Sequence, residues 1–328
     1  MALKNLKIYG RFALAGLGFV YDLKRYFMFA GWRSDLSSQE ERNYYMVRVY
    51  HALEKSMSFR RRRPGAGWTH ANLLIDALES AKNYRHGVHD ILAFQVLEKF
   101  YEIEKSHSPE KTRALKNRLD KIESFYNVVN DHKKPGVLEF GVEDFEKGRL
   151  EKPEEFFFSR HSLREFNGEQ VNDSDVKRAV TLAMKSPSVC NRQAWHVYHL
   201  QGEITQKALV FQNGNRGFGE NLQDLLIIAT DLPAFCSPKE RYQHWIDGGM
   251  FAMSIVWALH ALGIASCCLN WSQSGRVDMQ LRDALPIQPN HTIIMMVAIG
   301  HPSEHSQVCS SVRRPVSEVL TKLDSSIL

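Results

Sequence analysis

Between Trp245 and Gly263 the chain carries its longest hydrophobic run, and from Gly248 to Leu259 only Ser254 is polar. So apolar a segment has two uses, a bilayer span or a helix covered by protein on every side. Asp247 and His260 stand at its ends, and a span needs about 20 apolar residues, so it is a poor membrane segment. The expected element is a fully buried helix, with Gly248 and Gly249 allowing close approach of a neighbour. Such a helix demands cover on both sides. The 328 residues are enough for one large or two medium domains, and 44% hydrophobic with 24% charged residues argues against general disorder. A net charge of +5 is too mild to argue for nucleic acid. His260 alone reads as a packed histidine.

Two shorter stretches carry the chemistry. Ser186–Trp195, SPSVCNRQAW, lies between a helical and a strand pattern. Before it, Val176, Ala179, Val180, Ala183 and Met184 recur at helical spacing. Asn172 stands at the N-cap with Asp175 in capping-box position and Val171 as a staple. Pro187 ends the helix and pushes Ser186 out of helical geometry. After the turn, Trp195–Leu200 reads as a strand. The turn itself presents Ser188, Asn191, Arg192 and Gln193, side chains that can approach a planar polar ligand. Upstream, Ser159–Phe166 reads SRHSLREF. Arg160, His161, Ser162 and Arg164 put two guanidiniums, an imidazole and a hydroxyl within five residues, which suits a phosphate.

In this order and at this separation the two stretches resemble the nitroreductase family of flavin enzymes, whose members open with Arg-Arg/His-Ser-x-Arg/Lys-x-Phe and continue with Pro-Ser-x-x-Asn-x-Gln-Pro-Trp. The resemblance runs from about residue 155 to 328, with Ala194 where the family usually has Pro. It implies FMN as cofactor, NAD(P)H as electron donor, a homodimer with the 245–263 helix in its middle, and reduction of a small electrophile. Arg160, His161, Ser162, Arg164, Pro187, Ser188 and Asn191 match the flavin-binding motifs. Cys268, Leu269 and Asn270, in the strand expected over Ile264–Trp271, match the backbone beside the reactive flavin edge. Arg313, in SSVRRPVSEVL, matches the family's phosphate-binding Arg, with Ser311 where Lys is common. No catalytic side chain is assigned, because the flavin carries the chemistry.

The expected fold is α+β: a nitroreductase-like core of a central mixed sheet flanked by helices over 151–328, preceded by an all-α domain over 1–150 that includes a linker at 131–150 marked by Lys133, Lys134, Pro135, Gly136 and Gly141. Further core strands are expected at Leu225–Thr230 and Ile293–Ile299, and the glycines at 214, 217 and 219 mark a loop. Helical stripes run through Met46, Val47, Tyr50 and Leu53, through Ala71, Leu74, Ile75, Leu78 and Ala81, and through Leu115, Leu119, Ile122, Tyr126 and Val129. Arg60, Arg61, Arg62 and Arg63 lie between the first two; they suit a phosphorylated substrate or lipid headgroup, or a solvated charge run and clamp on carboxylates. Near the start, Lys4, Lys7 and Arg11 precede the apolar stretch Phe12–Tyr21, which suits either an interfacial anchor or an ordinary packed helix.

Five cysteines without C-x-x-C spacing make a disulfide framework or structural zinc improbable and fit a reducing, cytoplasmic compartment. Adjacent Cys267 and Cys268 read as packing. No Ser-His-Asp set, paired catalytic carboxylates or His-x-x-x-His metal spacing competes with the flavin reading. Two alternatives stay open: a flavoprotein acting on a phosphorylated or lipid-linked metabolite, as in polysaccharide synthesis, and a flavin-free relative serving as a binding scaffold.

Overall fold

The computed structural model describes residues 2–32, 36, 38–80, 87–126 and 135–323, with side chains from Tyr9 onward. Five helices come first: α1 (Ala2–Phe29), α2 (Gln39–Met57), α3 (Trp68–Glu79), α4 (Val88–Glu104) and α5 (Pro109–Tyr126). Ser38 caps α2 by accepting from Glu41 N–H, and Glu40 and Glu41 add negative charge at the same end. The expected stripes close on one another: Met46, Leu53, Leu74, Ile75, Leu97, Phe100 and Leu119 share one buried cluster. Of the expected stripe residues, Ala81 and Val129 lie outside the described residues, as do Lys133 and Lys134 of the linker. At the centre Arg42, 1% exposed, pairs with Asp90 at 2.7 Å and donates to Ala77 O, tying α2, α4 and α3 together.

Two short helices, α6 (Val142–Glu146) and α7 (Pro153–Phe158), lead into α8 (Asp173–Ala183), β1 (Trp195–Gln201), α9 (Glu203–Leu209), β2 (Asp224–Asp231), α10 (Gln243–Ala261), β3 (Ala265–Asn270), α11 (Gly275–Ala284) and β4 (His291–Gly300). The sheet runs β1-β2-β4-β3 with every pairing antiparallel. Among the described residues the parallel element of the expected mixed sheet is present only as a single bridge, Ser162 to Ser266. Asn172 is the N-cap of α8, but its side chain makes no capping bond; its backbone carbonyl accepts from Asp175 N–H instead.

Strand alternation sorts the core. Leu226 and Ile228 of β2 point into the layer with α8 and α10, while Leu225 and Ile227 point into the layer with α9 and α11. β2 is therefore buried along its whole length and reads as a continuous apolar run. Against it lies α10, whose Phe251, Ala252, Ile255, Val256 and Leu259 are buried. A Cβ on Gly248 would sit 2.5 Å from Ile294 Cγ1 and 2.9 Å from Thr230 Cγ2, so this residue sets the helix-to-sheet distance. Gly249 faces open space, and so does the rest of that side: Ile246, Met250 and Met253 are exposed in the single chain. The run expected to be buried on all sides is thus covered on one.

α1 does not join the helical bundle. Its C-terminal half is seated on the core, through Tyr21 OH to Asp278 (2.6 Å), Arg25 to His291 O (2.8 Å) and Tyr26 OH to Ser237 O (3.0 Å). Farther toward its start, Phe12, Leu14, Leu17 and Phe19 are exposed. No helix of the described residues is long and apolar enough to cross a membrane.

The tight seat of α10 gives a direct test. Gly248→Ala forces the new methyl into Ile294 and Thr230 and should lower unfolding stability by about 1–3 kcal/mol in denaturant titration. Gly249→Ala, where the space is open, should match or slightly exceed the parent.

Candidate flavin site in two halves

The first half lies at the C-terminal end of α10. After α7 the segment 160–167 is laid along the sheet: Leu163 N–H donates to Ser266 O (3.1 Å) and Asn167 N–H to His301 O (3.0 Å). This fixes Ser162 beside β3. Arg160 sits 6.0 Å from the centroid of the Trp257 ring, and Arg164 reaches Cys309 Sγ at 3.8 Å. His161 and Arg164 are exposed, and Arg160 and Ser162 half-buried. Neither arginine forms an ion pair with a described residue. On β3, Cys268 and Asn270 are exposed while Cys267 and Leu269 point into the core. Burial pushes the Cys267 thiol up, with Arg164 and Arg160 opposing, so it stays a neutral packing group. His260 is likewise a bonded, structural residue, with Nε2 3.0 Å from both Ser159 Oγ and Phe156 O.

The second half is the 186–195 turn, held at the N-terminal end of α10. Val189 N–H donates to Asp247 Oδ2 (3.1 Å) and Trp195 Nε1 to Asp247 O (3.2 Å), and the Trp195 ring stacks on Phe251 at 4.6 Å. Cys190, Asn191 and Gln193 all have positive φ, at 49°, 53° and 52°. Three non-glycine residues in this region within four positions make a strained turn of a kind that clusters at ligand sites. Ser188 Oγ accepts from Gln193 N–H and keeps its own proton to donate. Arg192, expected to face a ligand, does not. It is 4% exposed, forms a two-pronged pair with Glu240 at 2.8 and 3.0 Å, and donates to Ala234 O. It holds the turn from behind.

One chain does not bring the halves together. Asp247 and His260 are thirteen residues apart on α10, roughly 20 Å at the helical rise. Arg313 joins neither half: it lies on an exposed C-terminal arm and bonds only to Ser311 O among the described residues.

The arginine run divides. Arg62 pairs with the fully buried Glu104, donates to Ser56 O and Ala66 O, and covers the Phe100 ring at 5.4 Å. It is a clamp inside the bundle. Arg60, Arg61 and Arg63 are exposed.

Sequence reasoning missed a third group, where α2 meets the sheet. A cleft of about 1040 Å³ is lined there by Glu40, Tyr44, Gln193, Trp195, His196 and His199, among others. From the cleft wall Tyr44 OH donates to Asp231 Oδ2 (2.7 Å), whose Oδ1 accepts from Asn290 Nδ2 (2.6 Å). Burial, then the adjoining Glu40 carboxylate, pushes the Asp231 carboxyl up to about 8. No local motif announces residues so far apart in the chain.

Residues 158–227 match the model of the nitroreductase family. The chain is similar to an Archaeoglobus fulgidus protein named as an NADH dehydrogenase/NAD(P)H nitroreductase, at 25% identity over 159 residues, 47% of this chain and 88% of the relative. It is also similar to the iodotyrosine deiodinase of Hydra vulgaris, at 21% identity over 254 residues, 66% of this chain and 91% of the relative. Among solved structures, a Desulfovibrio desulfuricans nitroreductase in complex with FMN superposes with a TM-score of 0.46 at 20% identity, over 53% of this chain and 99% of the other.

The turn-bearing end of α10 makes stability pH-dependent through His244. Its ring packs between Tyr26 and Phe235, and its Nδ1 has no partner. Burial, helped by Arg25, pushes its pKa down to about 4. Above about pH 6.5 the imidazole is neutral in folded and unfolded chains alike. Between 6.5 and 4 only the unfolded chain takes up the proton, so folding should weaken by up to about 3 kcal/mol as pH falls through that window. His244→Phe should remove that part of the slope in denaturant titrations from pH 7 to 4, while contributions of other groups remain in both curves.

Proposed function

We propose that this protein is an FMN-dependent oxidoreductase that works as a homodimer, each flavin lying between the first half-site of one chain and the second half-site of the other. The observation that supports it most is the placement of the halves at opposite ends of α10, with the exposed apolar strip Ile246, Met250 and Met253 between them. Two such helices related by a two-fold axis and packed antiparallel through this strip place Arg160 of one chain near Asn191 of its mate. An isologous contact of this kind needs no second surface.

The donor set fits the cofactor. Arg160 and Ser162 suit its phosphate, joined by Arg313 if the exposed arm closes over the site. Arg164 offers positive charge to the pyrimidine edge, which is negative when reduced, and so favours the reduced form. Pro187, Ser188 and Asn191 shape and bond the ring and ribityl chain, and the backbone of Cys268–Asn270, with the exposed Cys268 and Asn270 side chains, borders the reactive edge. His161, exposed next to Arg160, belongs to the same donor set. The bound flavin supplies hydride and electron transfer. The protein's part is to orient the ring, exclude water through the α10 contact, and hold charge. NAD(P)H is the proposed electron donor and a small electrophile, such as a nitroaromatic or quinone, the proposed acceptor.

Two measurements test this. The purified protein should absorb near ~450 nm as an oxidised flavin does, and Arg160→Ala should weaken FMN binding by about 1.5–3 kcal/mol, roughly ten- to a hundredfold. Colourless protein that binds no added FMN overturns the reading. Sedimentation should show a dimer at micromolar concentration, and Met253→Lys should yield a folded monomer that has also lost FMN. Retention of FMN by that monomer would remove the two-chain site.

A further inference from the structure

We propose that Glu40, Asp231 and His291 form a binding site for a divalent transition-metal cation, of the Zn²⁺ or Mn²⁺ class, that clamps α2 onto the end of the sheet. A carboxylate oxygen of Glu40, one of Asp231 and a ring nitrogen of His291 all lie within 4.8 Å of one another. The fold builds this convergence in two steps. Asp231 and His291 are directly opposed residues at the ends of β2 and β4, so their side chains leave the sheet on the same face. Glu40 and Tyr44 are one turn apart on α2 and meet that pair from above, Tyr44 OH bonding the same Asp231 carboxylate.

The histidine points to a ligand independently of the acids. His291 is 5% exposed. Tyr198 OH lies 2.7 Å from its Nδ1 and accepts from Gln288 N–H; in the tautomer a metal requires, Nδ1–H donates to the same tyrosine oxygen, orienting the ring and leaving the Nε2 lone pair free. Its Nε2 makes no hydrogen bond with any described residue and faces Asp231 Oδ1 at 4.0 Å, beyond bonding range. A ring nitrogen of a residue only 5% exposed, held toward a carboxylate it does not touch, leaves room for an atom between them. The polar partner fixing the other nitrogen is the arrangement that orients histidine ligands in metal sites.

The donor set selects the class of cation. Two carboxylates and one imidazole are harder than thiolate sites and softer than all-oxygen sites, which favours Zn²⁺ or Mn²⁺ over Ca²⁺ or Cu⁺. Metal–ligand bonds of about 2.1 Å bring donors to roughly 3 Å apart, so the site must tighten. Glu40 is the exposed member and can move. The cleft beside it leaves coordination positions open to water, and His196, whose ring centroid lies 4.6 Å from that of His291, borders them. Two guanidiniums stand nearby: Arg25 and Arg282 both donate to the backbone oxygen of His291, and Arg282 is neutralised by Asp278 at 2.8 Å. Asp231, held protonated near neutral pH by burial and the adjoining Glu40, releases that proton when the cation binds.

Untagged protein should be stripped with a chelator and titrated calorimetrically with ZnCl₂ and MnCl₂. One saturable site per chain is expected, and the metal should raise the melting temperature. Glu40→Gln alters an exposed residue and keeps the fold. It should weaken the site at least tenfold and abolish the thermal shift, as should Asp231→Asn. Absence of saturable binding at millimolar metal overturns the proposal. So does Glu40→Gln protein that binds like the parent, since the metal would then sit elsewhere among the fourteen histidines.

Discussion

The contact between α10 and the sheet is what the rest of the molecule is arranged around. A helix whose two faces are both apolar cannot rest until both are covered. The sheet covers one, at a distance set by Gly248 against Ile294 and Thr230. Because that distance is short, Asp247 at the helix start can reach the 186–195 turn and hold it from both sides, its carboxylate accepting from Val189 N–H and its backbone carbonyl from Trp195 Nε1. At the other end, Trp257 and His260 receive the 156–160 segment. One helix therefore positions both halves of the candidate site, and its uncovered strip asks for the second chain that would join them.

The turn shows how strain is held. Left-handed backbone at Cys190, Asn191 and Gln193 would relax in an isolated peptide. Here Arg192 prevents it. Its guanidinium is buried and spends its donors on Glu240 and Ala234 O, so the turn is pinned from beneath while Ser188 and Asn191 remain at the surface. Removing one partner of so buried a pair would leave a charge without compensation, a cost of several kcal/mol. The arginine in the motif thus serves shape, and the residues on either side serve the ligand.

Legibility followed the range of the physics. Elements that announce themselves locally were readable: the apolar run of α10, the stripes of α2, α3 and α5, and the short apolar strands, which the structure places within a residue or two of expectation. Which residues face inward within a motif was not. Arg192 and Ser188 look equally available in the sequence, and only the distant Glu240 separates them. Arg62 differs from Arg61 because Glu104 lies under one and not the other. The strip on α10 was read as buried because hydrophobicity reports that a surface must be covered but not by which chain. Likewise α1, grouped by position with the helical bundle, is drawn to the core by Asp278 and the His291 carbonyl, partners more than 250 residues away.

The same reasoning explains why the region where α2 meets the sheet carried no signal. Sequence motifs for ligand sites work when one turn or one helix supplies several donors, so spacing encodes geometry. Here Glu40 and Tyr44 are the only pair at motif distance, and i,i+4 polar residues on a helix are ordinary. The rest of the grouping comes from strand register: antiparallel pairing of β2 with β4 sets Asp231 opposite His291, and the bulge between Ile228 and Ala229 decides that it is His291, and not a neighbour, that faces it. Register is a property of two strands at once. A one-residue slip would turn the imidazole to the other face and take it away from Asp231, so the chemistry at this junction rests on a backbone irregularity two residues from the carboxylate it serves.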